Sequence, residues 1–159
     1  MTRLAITGHR ALPEQTERLV DQALRAEIER HANGLLTGVS CIADGADALF
    51  ARAVLDAGGG LVVIVPAAGY RDALPAEYHS TYDALIAQAG EVIKLDHAES
   101  NSEAHMDASL RMIEHADELV AVWDGKPARG YGGTADVVAV ARERDMPVTV
   151  VWPDGATRE

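Results

Sequence analysis

Along the chain, short continuous apolar runs alternate with stretches whose apolar positions recur every three or four residues. The runs lie at Leu4–Thr7, Leu35–Ile42, Leu61–Val65, Glu91–Leu95, Leu119–Trp123 and Val148–Trp152, and their length predicts six strands. Between them, Leu19, Val20, Ala23, Leu24 and Ile28 fall on one helical face, as do Leu49, Phe50, Ala53 and Val54. Tyr78, Tyr82, Leu85, Ile86 and Ala89 mark a third helix with Pro75 near its first turn. Met106, Leu110 and Ile113 mark a fourth, and Val137, Val138, Val140 and Ala141 a fifth.

Strands that read as unbroken Val/Ile/Leu runs are buried on both faces, and their alternation with helices calls for a parallel sheet with right-handed crossovers. The expected fold is therefore α/β: a Rossmann-like three-layer sandwich around a six-stranded, mostly parallel sheet. Residues 1–153 form one domain in this reading, and 154–159 a short frayed tail.

The chain has 159 residues and a mass of 16.9 kDa, enough for one domain that buries about two-thirds of its unfolded surface without disulfides or metals. Lysine and arginine number 14 against 25 acidic residues, a net charge of −11. That charge argues against nucleic acid as a partner, because phosphate attraction dominates such affinity. No apolar run approaches the roughly 18 residues of a membrane span. Met1 to Leu4 lead straight into a strand-like run without the features of a signal peptide, so a cytoplasmic location is expected. Cys41 is the single cysteine and reads as a buried thiol. His97, His105 and His115 lack metal-ligand spacing and read as solvated, so neither a metal nor a cofactor is expected. Asp107, Arg111 and His115 recur every four residues as a charged stripe.

In an open parallel sheet, ligands bind beyond the carboxyl ends of the strands, where helix N-termini offer N–H groups and partial positive charge. The unusual residues of this chain follow strands and should share that rim. Gly8, His9 and Arg10 follow the first strand, and arginine pairs bidentately with phosphate; a surface-loop arginine is the alternative. Asp44, Gly45 and Asp47 follow the second; the spacing of the two aspartates suits either a capping box or ligand contact. Pro66 to Arg71 follow the third, where Tyr70 and Arg71 either close over a ligand or form a plain loop. Gly130, Gly132, Gly133 and Thr134 follow the fifth and open a helix. There the glycines would let a phosphate approach the backbone while Thr134 donates a hydroxyl. The alternative is a flexible loop with a Thr cap, Asp136 favouring the helix dipole. Trp123 and Trp152 end strands and should pack at the sheet rim; the alternative is an aromatic that covers a base.

The order Gly8-His9-Arg10, Ala43-Asp44-Gly45-Ala46-Asp47-Ala48-Leu49, Glu114-His115-Ala116-Asp117 and Gly132-Gly133-Thr134 resembles the SLOG superfamily. These Rossmann-like domains include the Lonely Guy phosphoribohydrolases and the DNA-processing protein A domains. The resemblance spans nearly the whole chain through short motifs. It implies a pocket for a nucleotide or nucleotide derivative, held by the two glycine-containing loops, and a homodimer. The chain departs from the enzymes of that group in two places. Their P-G-G-x-G-T-x-x-E motif ends on a glutamate where this chain has Val137; Asp136, one position early, is the nearest carboxylate. Their arginine in the helix before the fifth strand would match a position near Ala108 or Ser109. Arg111 is displaced by two or three residues, which turns a side chain by about 200 to 300° around a helix axis.

Three functions compete. The first is a binding protein, sensor or regulator, for a nucleotide-like small molecule, which needs the loops but no general acid or base. The second is an N-glycoside hydrolase resembling nucleoside monophosphate phosphoribohydrolases, with Asp136 as the catalytic carboxylate. The third, a single-stranded DNA binder, would want a basic groove with stacking aromatics, against 4% aromatic content and the negative net charge.

Overall fold

A computed structural model describes residues 2–31 and 34–158; Met1 and Glu159, the outermost residues of the expected domain and tail, lie outside the described residues. The apolar runs become β1 (Thr2–Gly8), β2 (Leu36–Ser40), β3 (Gly60–Ala67), β4 (Glu91–His97), β5 (Glu118–Val122) and β6 (Val148–Val151). The periodic stretches become α1 (Glu14–Arg30), α2 (Ala46–Asp56), α4 (His79–Gln88), α5 (Ser102–Glu114) and α6 (Thr134–Glu143). One helical turn, α3 (Tyr70–Ala73), falls where sequence allowed a plain loop, and Pro75 caps a 3-10 turn, Ala76–Tyr78, that leads into α4.

All strand pairings are parallel and the sheet order is β4-β3-β2-β1-β5-β6. Side chains alternate across the sheet. Leu4, Ile6, Val120 and Val122 pack with Val20 and Leu24 of α1 and Phe50 and Val54 of α2. Ala5, Val39 and Leu119 pack with Met112 and Ile113 of α5 and Val137 and Ala141 of α6. These are the three layers expected. The rule of burial on both faces fails at β4, an edge strand with no fully buried residue, whose Val92 is 36% exposed. Among the described residues, no helix is long and apolar enough to cross a membrane.

The order of strands reverses at β1. From there the chain steps outward to β2, β3 and β4, then crosses back to place β5 on the other flank of β1. Crossovers leaving in opposite directions open a crevice at the carboxyl ends of β1 and β5. Gly8 and Val122 are paired across its floor.

Candidate functional site

A cleft of about 320 Å³ occupies that crevice. The end of β1 contributes Gly8, His9 and Arg10, the β2–α2 connection Ala43, and the first turn of α2 Asp47. Pro66 and Tyr70 close one side, and His105, Ser109 and Met112 of α5 another. The loop from Lys126 to Gly133 and the first turn of α6, Thr134 and Ala135, form the opposite wall, and Arg158 reaches in from the segment after β6. Pro66 sits where the β3–β4 register shifts, the kind of irregularity at which a strand tolerates a residue without an N–H.

His9 is buried, and its Nε2 accepts a hydrogen bond from the Asp124 N–H at 3.2 Å. Burial, then the charge of Arg158, pushes the imidazole below its usual range despite the nearby Asp124 carboxylate. A neutral ring with its proton on Nδ1 fits that bond. The Trp152 ring meets it edge-on at 5.5 Å between centroids. His9 thus ties the end of β1 to the loop after β5. Burial pushes the Asp124 carboxyl up, but the Lys126 N–H, His9 and Arg158 outweigh it and hold the group below the usual carboxylate range. Its Oδ1 accepts from Lys126 N at 3.0 Å, shaping the turn that places Lys126 at the cleft.

Arg10 is held by Asp44, Nε and Nη2 lying 2.9 and 2.8 Å from the same carboxylate oxygen. Asp44 and Gly45 therefore stand behind Arg10, lining a neighbouring hollow, while Arg10 itself faces the cleft. The capping box between Asp44 and Asp47 does not form: Gly45 is the residue that precedes α2, and the Asp47 carboxylate reaches back to Ala43 N at 3.4 Å. Gly45 takes φ +95°, and a side chain there would press its Cβ to 2.7 Å from the His9 carbonyl oxygen. The loops after β1 and β2 touch at that point, with Ala46 N donating to the His9 carbonyl at 3.2 Å. Asp47 is half-buried in the cleft wall, and desolvation pushes its carboxyl up to about 7 against the lowering effects of Ala43 N and Arg10.

In the glycine loop, Gly132 has φ +84° and donates its N–H to the Asp136 carboxylate at 2.9 Å, while Gly133 N donates to the Gly130 carbonyl at 3.3 Å. Asp136 is thus turned onto the loop as its brace. The loop's own donors close it into shape, and because Asp136 N and Val137 N both donate to the Gly133 carbonyl, the α6 donors left for the cleft are the N–H groups of Thr134 and Ala135. Thr134 is buried and lines the cleft but does not cap α6, because Gly133 precedes the helix.

Of the residues marked by sequence, Gly8, His9, Arg10, Asp47, Gly130, Gly132, Gly133 and Thr134 come together in the cleft wall, and Asp44, Gly45 and Asp136 brace it from behind. Arg71 leaves the site, engaging Asp83 through two hydrogen bonds of 2.8 Å. His97 pairs with Asp107 at 2.6 Å and Arg111 lies 3.8 Å from Glu114, so the expected stripe on α5 splits between partners. His105 is not solvated: its Nε2 lies 2.8 Å from Ser100 Oγ, its ring meets that of buried Tyr70, and burial, then Arg10, lowers its basicity. Ser109, Lys126, Arg129 and Arg158 also line the cleft, and the sequence does not single out the three basic ones. Lys126 and Arg129 lie in the loop already marked for its glycines, a signal sequence offered; Arg158 had none.

No family model matches the chain, and no curated protein matches it. Solved structures do. DNA processing protein A from Streptococcus pneumoniae superposes with a TM-score of 0.68 at 16% identity, over 98% of this chain and 52% of that one. The Helicobacter pylori protein of the same name gives 0.68 at 15%, over 98% and 68%. The Moco carrier protein from Chlamydomonas reinhardtii gives 0.56 at 18%, over 94% and 75%. The chain thus spans about half the length of the Streptococcus protein. At these identities the likeness establishes the fold alone, a Rossmann-like domain.

Proposed function

We propose, with the Rossmann-like fold as premise, that this protein binds a phosphate-bearing, nucleotide-like small molecule in the cleft between β1 and β5 and acts as a sensor or regulatory protein. The observation that carries this reading is electrostatic. In a chain of net charge −11, Arg10, Lys126, Arg129 and Arg158 converge on one cleft together with the N-terminus of α6. Guanidinium forks and first-turn N–H groups are the donors that phosphate oxygens take. The volume lies at the small end of ligand clefts, about 300 to 1,000 Å³, which suits one nucleoside phosphate better than a dinucleotide. The Moco carrier protein is, by its name, a small-molecule carrier on the same fold.

Binding is favoured over N-glycoside hydrolysis because Asp136, the carboxylate that hydrolysis would have used, is committed to Gly132 N. The Helicobacter protein binds single-stranded DNA. A strand would need a groove along which successive bases stack, whereas the basic side chains here gather in one concave site. A homodimer belongs to the proposal and is read by light scattering.

The test is a thermal-shift screen over inorganic phosphate, nucleoside mono-, di- and triphosphates and a single-stranded oligonucleotide. Stabilisation by one class of nucleoside phosphate, without base release on prolonged incubation, is the expected result. Stabilisation by the oligonucleotide alone would replace the small molecule with DNA, and free base above the no-protein control would restore the hydrolase.

A further inference from the structure

We infer that the segment after β6 is a built arm whose purpose is to carry Arg158 into the cleft as a ligand-holding residue. The inference rests on the binding reading above and adds to it a part of the site remote in sequence. Three contacts define the arm's course. Ala156 N donates to the Pro153 carbonyl at 3.0 Å, closing a tight turn in which Gly155 has φ +89°. A Cβ on Gly155 would lie 3.6 Å from Leu19 Cδ1, so the turn rests on α1. Beyond it, Thr157 N donates to Thr16 Oγ1 at 2.8 Å, and Thr16 is 1% exposed. A segment held only by chance would not find a buried hydroxyl for its backbone.

The next residue is Arg158. Its Nη1 lies 3.9 Å from Asp124 Oδ2, a loose pairing that keeps the guanidinium at the cleft edge and, among the described residues, leaves donors for a ligand. Asp124 in turn holds the Lys126 turn and sits against His9, so the arm, the β5 loop and the end of β1 meet around one carboxylate. An anion in the cleft would take the remaining donors of Arg158, and the arm would then be fastened at both ends.

The experiment uses the full chain with Arg158→Gln and, separately, Thr16→Val, which removes the anchor of the arm on α1 without touching the cleft. Adenosine 5′-monophosphate is the calorimetric probe. Arg158→Gln is expected to weaken binding about ten-fold, and Thr16→Val by a smaller factor of about three. The double variant should bind no more weakly than Arg158→Gln, since an arm already lifted has no arginine left to lose. A second readout needs no ligand. Arg158 lowers the basicity of His9, so the His9 ring, followed by NMR, should titrate at higher pH in both variants than in wild type. Wild-type affinity and an unchanged His9 titration in both variants would overturn the arm while leaving the cleft in place. Failure of the wild-type protein to bind the probe and every nucleoside di- and triphosphate of the thermal-shift screen would overturn both readings; where the screen selects one of those instead, it takes the place of the monophosphate in the same comparison. A merely structural role for the segment would lower melting temperature and leave affinity and His9 unmoved.

Discussion

Asp47 is the residue whose ionisation the cleft controls. Its carboxyl titrates near 3.9 in an unfolded chain and at about 7 in the fold, where burial disfavours the charge. Between those values the native state holds a proton that the unfolded chain has released, so this residue makes stability fall as pH rises from about 4 to 7 and level off above. Asp47→Asn is expected to flatten that part of the urea-denaturation profile and to raise stability at pH 8. The same ionisation places a negative charge beside Arg10 in an anion site. Affinity for a nucleoside phosphate should therefore decline as pH rises through 7 in wild type and lose that dependence in Asp47→Asn. Equal slopes in the two proteins would mean that Asp47 is ionised throughout the range.

At the scale of elements, the glycine loop and α6 form one unit through the bond from Gly132 N to Asp136. Asp136→Ala removes the acceptor and should cost about 0.5 to 1.5 kcal/mol by denaturant unfolding; Asp136→Asn keeps a carbonyl oxygen there and should cost less. The glycines of the loop are not equivalent. Gly132 takes a left-handed conformation, and a Cβ on it would lie 3.1 Å from the Ser102 carbonyl of α5, whereas a Cβ on Gly130 would meet nothing within 4 Å. Gly132→Ala should therefore destabilise by about 1 kcal/mol or more, and Gly130→Ala should leave the midpoint almost unchanged. Sequence marked both glycines for the same reason, because Gly in a loop signals freedom without saying which residue needs it.

For the whole molecule, binding is linked to stability. A ligand at a hundred times its Kd adds about 2.7 kcal/mol, which for a domain of this size corresponds to about 5 to 11 °C in Tm. Loops from several strands surround the cleft, so stabilisation by a ligand should appear in the cooperative unfolding of the sheet as a single shifted transition by both far-ultraviolet circular dichroism and tryptophan fluorescence. Trp152 packs on His9 and Trp123 Nε1 donates to the Lys126 carbonyl, so both indoles sit on the rim that a ligand would order. A fluorescence transition that shifts while the circular dichroism transition stays in place would locate the effect in the rim alone.

From the sequence alone follow the element order, the three layers and the carboxyl rim on which Gly8, Arg10, Asp47 and Thr134 meet. These rest on periodicity and on the handedness of crossovers, which depend on neighbours in the chain and on the chirality of the residues. The tertiary structure alone decided what the side chains of that rim do. Asp44 turned to Arg10 across 34 residues, Asp136 turned back to the loop, and Arg158 arrived through a bond that Thr157 makes with Thr16, 141 residues away. A carboxylate's direction is set by which donor lies within about 3 Å. That donor is supplied by whatever segment the sheet order brings alongside, and no local pattern encodes it.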